Sequence, residues 1–265
     1  GIMNIGMGCP YECSYCFLQG YQNIGGIVLP YNIDDYLRED KISLLGNDGG
    51  FFNYKRIGSG EFTDSLVFDH ISNFSPKIVE FFRAKKEIYF EFKTKSINIS
   101  NLLSVGGAEN VVVAWSLNSF KMKKENEFKT PSILERLNAA KAVAEAGFSV
   151  AFHFDPLIFY PDWRAGYKET VDALFDIVPN GAIKWISLGA LRMAAELKKV
   201  IENRFPRNKI MDAELLLDSD YKLKYSADTR IEMFDFMLKL LGQKTQKTQI
   251  YLCMENKLIH KSVKK

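Results

Sequence analysis

Cysteine is scarce in this chain, with four among 265 residues, too few for a disulfide-held scaffold. Histidine is scarcer still, at three, and none stands near Cys9, Cys13 or Cys16. No apolar run approaches the ~20 residues of a membrane span. Neither sign of charge dominates: 35 Lys and Arg face 32 Asp and Glu, a net +3, so bulk electrostatics neither demand nor exclude a nucleic-acid partner. Internal repeats and low-complexity segments are absent. No secretory leader is apparent, and the sequence opens at Gly1 rather than at a methionine. What remains is a core-forming globular chain, expected in a reducing, cytoplasmic compartment. Its 47% hydrophobic and 25% charged content is ordinary for that class.

Three of the four cysteines fall within eight positions of "GMGCPYECSYCFLQGY" (6–21). Cys9, Cys13 and Cys16 form a C-x-x-x-C-x-x-C pattern. Clustered thiols without a leader point to metal or redox chemistry, and thiolates suit soft metals and iron–sulfur clusters. A zinc site takes four ligands, often as two C-x-x-C pairs, and here no fourth ligand is local; a structural zinc site stays open as the alternative. Three ligands on a four-iron cluster leave one iron free for a substrate or cofactor.

Strand and helix patterns alternate along the chain. Strands are expected over 53–60, 87–95, 110–118, 149–157 and 182–191, after a first strand ending at "NIGMG". Helices are expected over 70–86, near 98–104, over 130–148, 162–178 and 192–205. The helix over 130–148 carries the clearest signals: Thr130 as cap, Pro131 in the first turn and Gly147 at the end. Arg136 and Lys141 fall on its polar face and read as solvated. Such alternation implies parallel strands with crossover helices. A complete eight-fold barrel needs ~250 residues, so the expectation is an α/β fold with a partial, six-unit (β/α)6 TIM-like barrel over 1–205. A C-terminal extension over 206–265, with a helix at 228–242 and a strand at 249–256, packs on it.

Reactive groups of a parallel barrel sit where strands give way to loops at the C-terminal face. Those ends carry the three cysteines, then Gly58, Gly60 and Glu61, then Lys93, Lys95 and Ser96. Ser116 and Asn118, His153 and Asp155, and finally Ser187 and Arg192 follow. Cys253, in "YLCMEN", reads either as a buried strand cysteine or as a thiol returning to the barrel mouth. The basic residues of the tail, interleaved with acidic ones, read as a solvated surface.

The cysteine motif resembles that of the radical S-adenosylmethionine superfamily, and "GSGE" resembles its Gly-Gly-Glu motif. A closer resemblance runs over roughly 6 to 170, through "GCPYECSYCFLQGY", "TDSLVFDH", "FKTKS", "WSLN" and "TPSILERLNAAKAVAEAGFSVAFHFDPL…DWRAGY". These blocks resemble the spore photoproduct lyase family. The resemblance implies a 4Fe-4S cluster on Cys9, Cys13 and Cys16, and S-adenosylmethionine cleaved to a 5′-deoxyadenosyl radical that reverses a thymine-dimer lesion in DNA. It implies that Gly58, Gly60 and Glu61 hold the cofactor's amine and Lys95 its carboxylate. Ser116 and Asn118 then touch its ribose or carboxylate, and Tyr15 packs near the adenine. An electron donor such as flavodoxin or ferredoxin is implied, and no membrane. Two positions depart from the family: Glu61 stands where the lyases have a hydrogen-donating cysteine, and Phe17 where they have a tyrosine. A radical enzyme acting on a different, non-DNA substrate is therefore the alternative, and a non-catalytic metal-binding module a third.

Overall fold

The computed structural model describes residues 1–22, 24–45 and 54–263. One sheet is built from six strands: β1 (Lys55–Gly58), β2 (Ile88–Thr94), β3 (Val111–Ser116), β4 (Ser149–Leu157), β5 (Ile183–Ala190) and β6 (Gln249–Leu252). Their order is β6-β5-β4-β3-β2-β1, and every pairing is parallel. The valine run at 111–113 accounts for the central place of β3, which is buried at every position, as a strand covered on both faces must be. The two edges meet: Arg56 of β1 donates from Nη1 to the Tyr251 hydroxyl of β6 at 2.8 Å. The sheet is therefore curled into the partial α/β barrel that the alternation predicts.

Its ends differ from the sequence reading. The expected first strand is reduced to one parallel bridge between Ile2 and Gly58. Met7 then bridges antiparallel to Val28, which turns the chain off the sheet edge. The sixth strand comes from the tail, where Gln249–Leu252 pairs with Trp185–Leu188. Residues 206–265 thus supply one edge of the barrel and do not merely pack on it. Asn53, at the start of the strand expected over 53–60, lies outside the described residues.

Helices cover the convex face: α1 (Phe74–Arg83), α2 (Ser100–Val105), α3 (Ile133–Glu145), α4 (Trp163–Ile177), α5 (Ala195–Arg204) and α6 (Ala227–Lys244). Ser132, not Thr130, caps α3, in a reciprocal capping box with Glu135; Pro131 stands ahead of the helix, and Gly147 follows its end at φ 90. The helix expected over 70–86 is cut at Asn73 (φ 50), because Asp69 takes both the N–H and the hydroxyl of Ser75 (2.9 and 2.5 Å) and α1 begins there. Residues 192–194 are extended and pair with Lys222–Lys224, so the helix expected over 192–205 starts only at Ala195.

Between sheet and helices lies the main core, with Trp115, Phe90, Phe92, Phe152 and Phe154 fully buried. Burial of each is worth about 1.5–3 kcal/mol relative to exposure. The concave face holds a smaller apolar cluster of Val112, Ala114, Ala151 and Trp185. Glu91 shares that face and accepts from His153 Nε2 (2.8 Å), Trp185 Nε1 (3.0 Å) and Arg56 Nη2 (2.6 Å). Among the described residues no helix is long and apolar enough to cross a membrane.

Candidate functional site

Cys9, Cys13 and Cys16 line one cleft of ≈ 360 Å³, together with Tyr11, Gln19 and Arg204. Its floor is tied down from several sides. Glu12–Cys13 pairs antiparallel with Glu127–Phe128. Ser14 donates its N–H to the Asn126 carbonyl (2.8 Å) and its hydroxyl to Asn126 Oδ1 (2.7 Å). Gln19 donates to the Cys13 and Ser14 carbonyls, and Arg204 in turn donates to Gln19 Oε1 (2.7 Å). All four cysteines are free thiols. Burial, reinforced by the Asp64 charge, pushes the Cys9 thiol up to about 12, and burial also raises Cys13 and Cys16. Binding a metal centre here therefore releases protons.

The donor set fits an iron–sulfur cluster. It consists of three soft sulfurs on one open cleft, and the one carboxylate lining it among the described residues, Glu12, is paired with Lys129 at 2.9 Å. Cys9, Cys13 and Cys16 share the cleft without being drawn together as a site for one metal ion, and no other three His, Cys, Asp or Glu side chains among the described residues are so grouped.

Beneath the loop lies a buried polar network that the sequence reading missed. The Tyr15 hydroxyl donates to Glu127 Oε1. Arg136, expected on a solvated face, is fully buried and donates from Nη2 to Glu127 Oε2 at 2.6 Å. The Lys95 ammonium stands 5.9 Å from the Tyr15 ring centroid. Burial alone would depress Lys95, but the Glu127 carboxylate and the Cys13 thiol outweigh it and hold the ammonium above its ordinary value. Asp64 is the second missed residue. It accepts the Lys95 N–H (2.6 Å), the Thr94 hydroxyl (2.6 Å) and the N–H groups of Leu66 and Val67. It thereby fixes the end of β2 against the loop after β1.

The structure thus brings Tyr15 and Lys95 together with the three cysteines. Gly58 and Gly60 sit at the neighbouring strand end. Gly60 has φ +117, and a Cβ there would meet Asn4 Oδ1 at 2.7 Å, so only glycine fits. Glu61 is exposed, with its N–H on Asn4 Oδ1 (3.1 Å). Asn118 points into the core, where its amide engages the Pro156 carbonyl, the Tyr167 hydroxyl and the Ser119 N–H. Ser116 is buried and its carbonyl accepts from Arg136 (2.9 Å).

On the other side of the mouth Arg192 grips Asp155, and its Nη2 lies 3.9 Å from Cys253 Sγ. Cys253 follows β6 directly, with its N–H on the Leu188 carbonyl at 2.7 Å. The thiol has returned to the barrel mouth. His153 lies deeper, its Nδ1 buried and without a hydrogen-bond partner among the described residues.

A curled parallel sheet with a three-cysteine cleft beside its C-terminal strand ends is the architecture of the radical S-adenosylmethionine superfamily. Within it, this chain belongs to the spore photoproduct lyase family, whose model matches residues 2–253. The spore photoproduct lyase of Clostridium acetobutylicum is 25% identical over 218 residues, covering 78% of this chain and 61% of that relative. The chain therefore spans about three fifths of the relative's length. A solved variant of spore photoproduct lyase with dinucleoside spore photoproduct superposes with a TM-score of 0.84 at 23% identity, over 95% of this chain and 76% of the other. A further variant, with bound AdoMet and dinucleoside spore photoproduct, gives 0.83 at 22% identity over the same shares.

Proposed function

We propose that this chain is a radical S-adenosylmethionine enzyme that acts on a thymine-dimer lesion in DNA, as the resemblance to the spore photoproduct lyase family implies. The observation that carries the reading is the convergence of Cys9, Cys13 and Cys16 on one cleft, with Lys95 held charged beside it. The three thiols hold a 4Fe-4S cluster. When bound, the cluster supplies one electron to S-adenosylmethionine, and the cofactor supplies the 5′-deoxyadenosyl radical. Lys95 pairs with the cofactor's carboxylate, and the turn of Gly58, Gly60 and Glu61 receives its amine, because glycine lets the backbone approach. Tyr15 packs near the adenine. Ser116 and Asn118 act from the third strand end, Asn118 by fixing the turn through its core hydrogen bonds rather than by direct contact. A one-electron donor such as flavodoxin or ferredoxin completes the system.

Glu61 and Phe17 support a second reading, in which the same cofactor chemistry serves a non-DNA substrate. Both stand where the family resemblance places the residues that return hydrogen to the product. One experiment separates the readings. Anaerobically loaded protein is incubated with deuterated lesion-bearing oligonucleotide and S-adenosylmethionine, and label is sought in 5′-deoxyadenosine. Transfer, with binding that weakens steeply as salt rises, supports the DNA reading; cofactor cleavage with neither supports the second.

A further inference from the structure

The buried pair of Glu127 and Arg136 sits where three otherwise separate parts of the site meet. Arg136 is 0% and Glu127 1% exposed. From α3, the Arg136 guanidinium reaches the carbonyls of Ser116 and Pro131, the Thr130 hydroxyl and Glu127 Oε2. Glu127 spends its other oxygen on the Tyr15 hydroxyl. Its backbone is paired with Cys13. Its charge is the largest of those that keep Lys95 protonated. A buried carboxylate persists only when paired and hydrogen-bonded, and here every partner is a different piece of the thiol site.

We propose that Glu127, anchored by Arg136, is the positioning residue of this site: its backbone pairs with Cys13 while its carboxylate holds the Tyr15 hydroxyl, so that the cysteine loop is clamped and the Tyr15 ring is fixed where the Lys95 ammonium meets it. The part concerning Lys95 rests on the function proposed above; the clamp on the loop does not. Charge matters as well as shape. A neutral amide at 127 preserves the size and one hydrogen bond but removes the counter-charge of both Arg136 and Lys95.

Differential thiol labelling of the cofactor-free, reduced protein tests the clamp. A short iodoacetamide pulse is read cysteine by cysteine by mass spectrometry, with Cys253, directly after the opposite edge strand, as internal standard. Tyr15→Phe leaves the Arg136–Glu127 pair in place and keeps the protein folded, which a thermal melt verifies. In it, and more so in Glu127→Gln, the labelling of Cys13 relative to Cys253 rises by about tenfold as the loop opens locally. Loaded protein gives the second readout. In Glu127→Gln the iron content stays at the wild-type level, while the S-adenosylmethionine concentration that half-saturates the change in the cluster spectrum rises about tenfold, the order expected for one weakened charge-assisted contact. Arg136→Lys keeps the charge but loses the fork, and falls between wild type and Glu127→Gln. An unchanged Cys13 to Cys253 ratio in both variants, or an equal rise at the two cysteines, overturns the proposal. Wild-type protein that loads iron yet shows no response to S-adenosylmethionine overturns the functional reading instead, and the labelling ratio still decides the clamp.

Discussion

Arg192 holds both oxygens of the Asp155 carboxylate, at 2.9 and 3.1 Å, across the mouth of the barrel. Gly189 lies beneath them. A Cβ at 189 would stand 2.7 Å from the carboxyl carbon of Asp155 and 2.9 Å from Arg192 Nη1. Ion pair and glycine are thus one feature: the side chains occupy the volume that any larger residue needs. The same guanidinium reaches Met254 Sδ at 3.1 Å, and so ties β6 to the strand ends of β4 and β5.

Gly189→Ala should displace the pair. Forcing a methyl into a filled site costs about 1–3 kcal/mol. The melting temperature should fall by several degrees, at roughly 2–4 °C per kcal/mol for a chain approaching this size. Circular dichroism melts check it, and an unchanged midpoint contradicts the packing described for Asp155.

The Arg136–Glu127 pair gives a sharper contrast. Arg136→Met strands a buried carboxylate and should cost about 3–5 kcal/mol. Removing both charges, in Arg136→Met with Glu127→Leu, should recover a good part of that loss. Denaturant melts of the two proteins decide; a double variant no more stable than the single one rules out the stranded charge as the cause.

Much of this molecule was legible from its sequence, for identifiable reasons. The strand over 149–157 has the bounds that Ser149–Leu157 shows, because a β-rich, largely apolar run starts directly after the glycine turn at Gly147. The three cysteines were legible because close spacing in sequence forces closeness in space. Arg136 was not: helical periodicity puts it on a polar face, and only the fold shows that Glu127 meets it there. Asp64 was illegible for the same reason, since its partners at 94 and 95 come from the next strand. The tail's strand was seen, but its place at the sheet edge was not, because Gln249–Leu252 joins a partner more than fifty residues back in the chain.

Gly60→Ala probes the turn after β1. At φ +117, with Asn4 Oδ1 in the way, a side chain adds strain of about 1–3 kcal/mol. The melt should shift accordingly, and the protein's response to S-adenosylmethionine should weaken with it. A variant as stable and as responsive as wild type contradicts the role given to that turn.

Acid stability should fall in two stages. Burial pushes His153 below its ordinary 6.5, although the Glu91 charge opposes this. The unfolded chain therefore takes up this proton at higher pH than the folded one. Stability from the neutral imidazole is full above 6.5 and declines as pH drops below it. Burial would raise Glu91, but Arg56 and His153 outweigh it and hold the carboxyl far below its ordinary 4.5. Its contribution is full above 4.5 and is lost as pH falls toward the depressed value. On the acid side the melting temperature should thus hold down to pH 6.5, decline below it and steepen under 4.5. His153→Gln should erase the first stage and keep the second; a first stage that survives it contradicts the assignment.

The central claim is that Cys9, Cys13 and Cys16 hold an iron–sulfur cluster with a corner left for S-adenosylmethionine. Electron paramagnetic resonance of anaerobically loaded, reduced protein, recorded with and without S-adenosylmethionine, tests it most directly. The account predicts a cluster signal that changes shape when S-adenosylmethionine is added and is lost in Cys9→Ser, Cys13→Ser and Cys16→Ser, but kept in Cys253→Ser. Protein that takes up one zinc and no iron, or a cluster signal indifferent to S-adenosylmethionine, would contradict it.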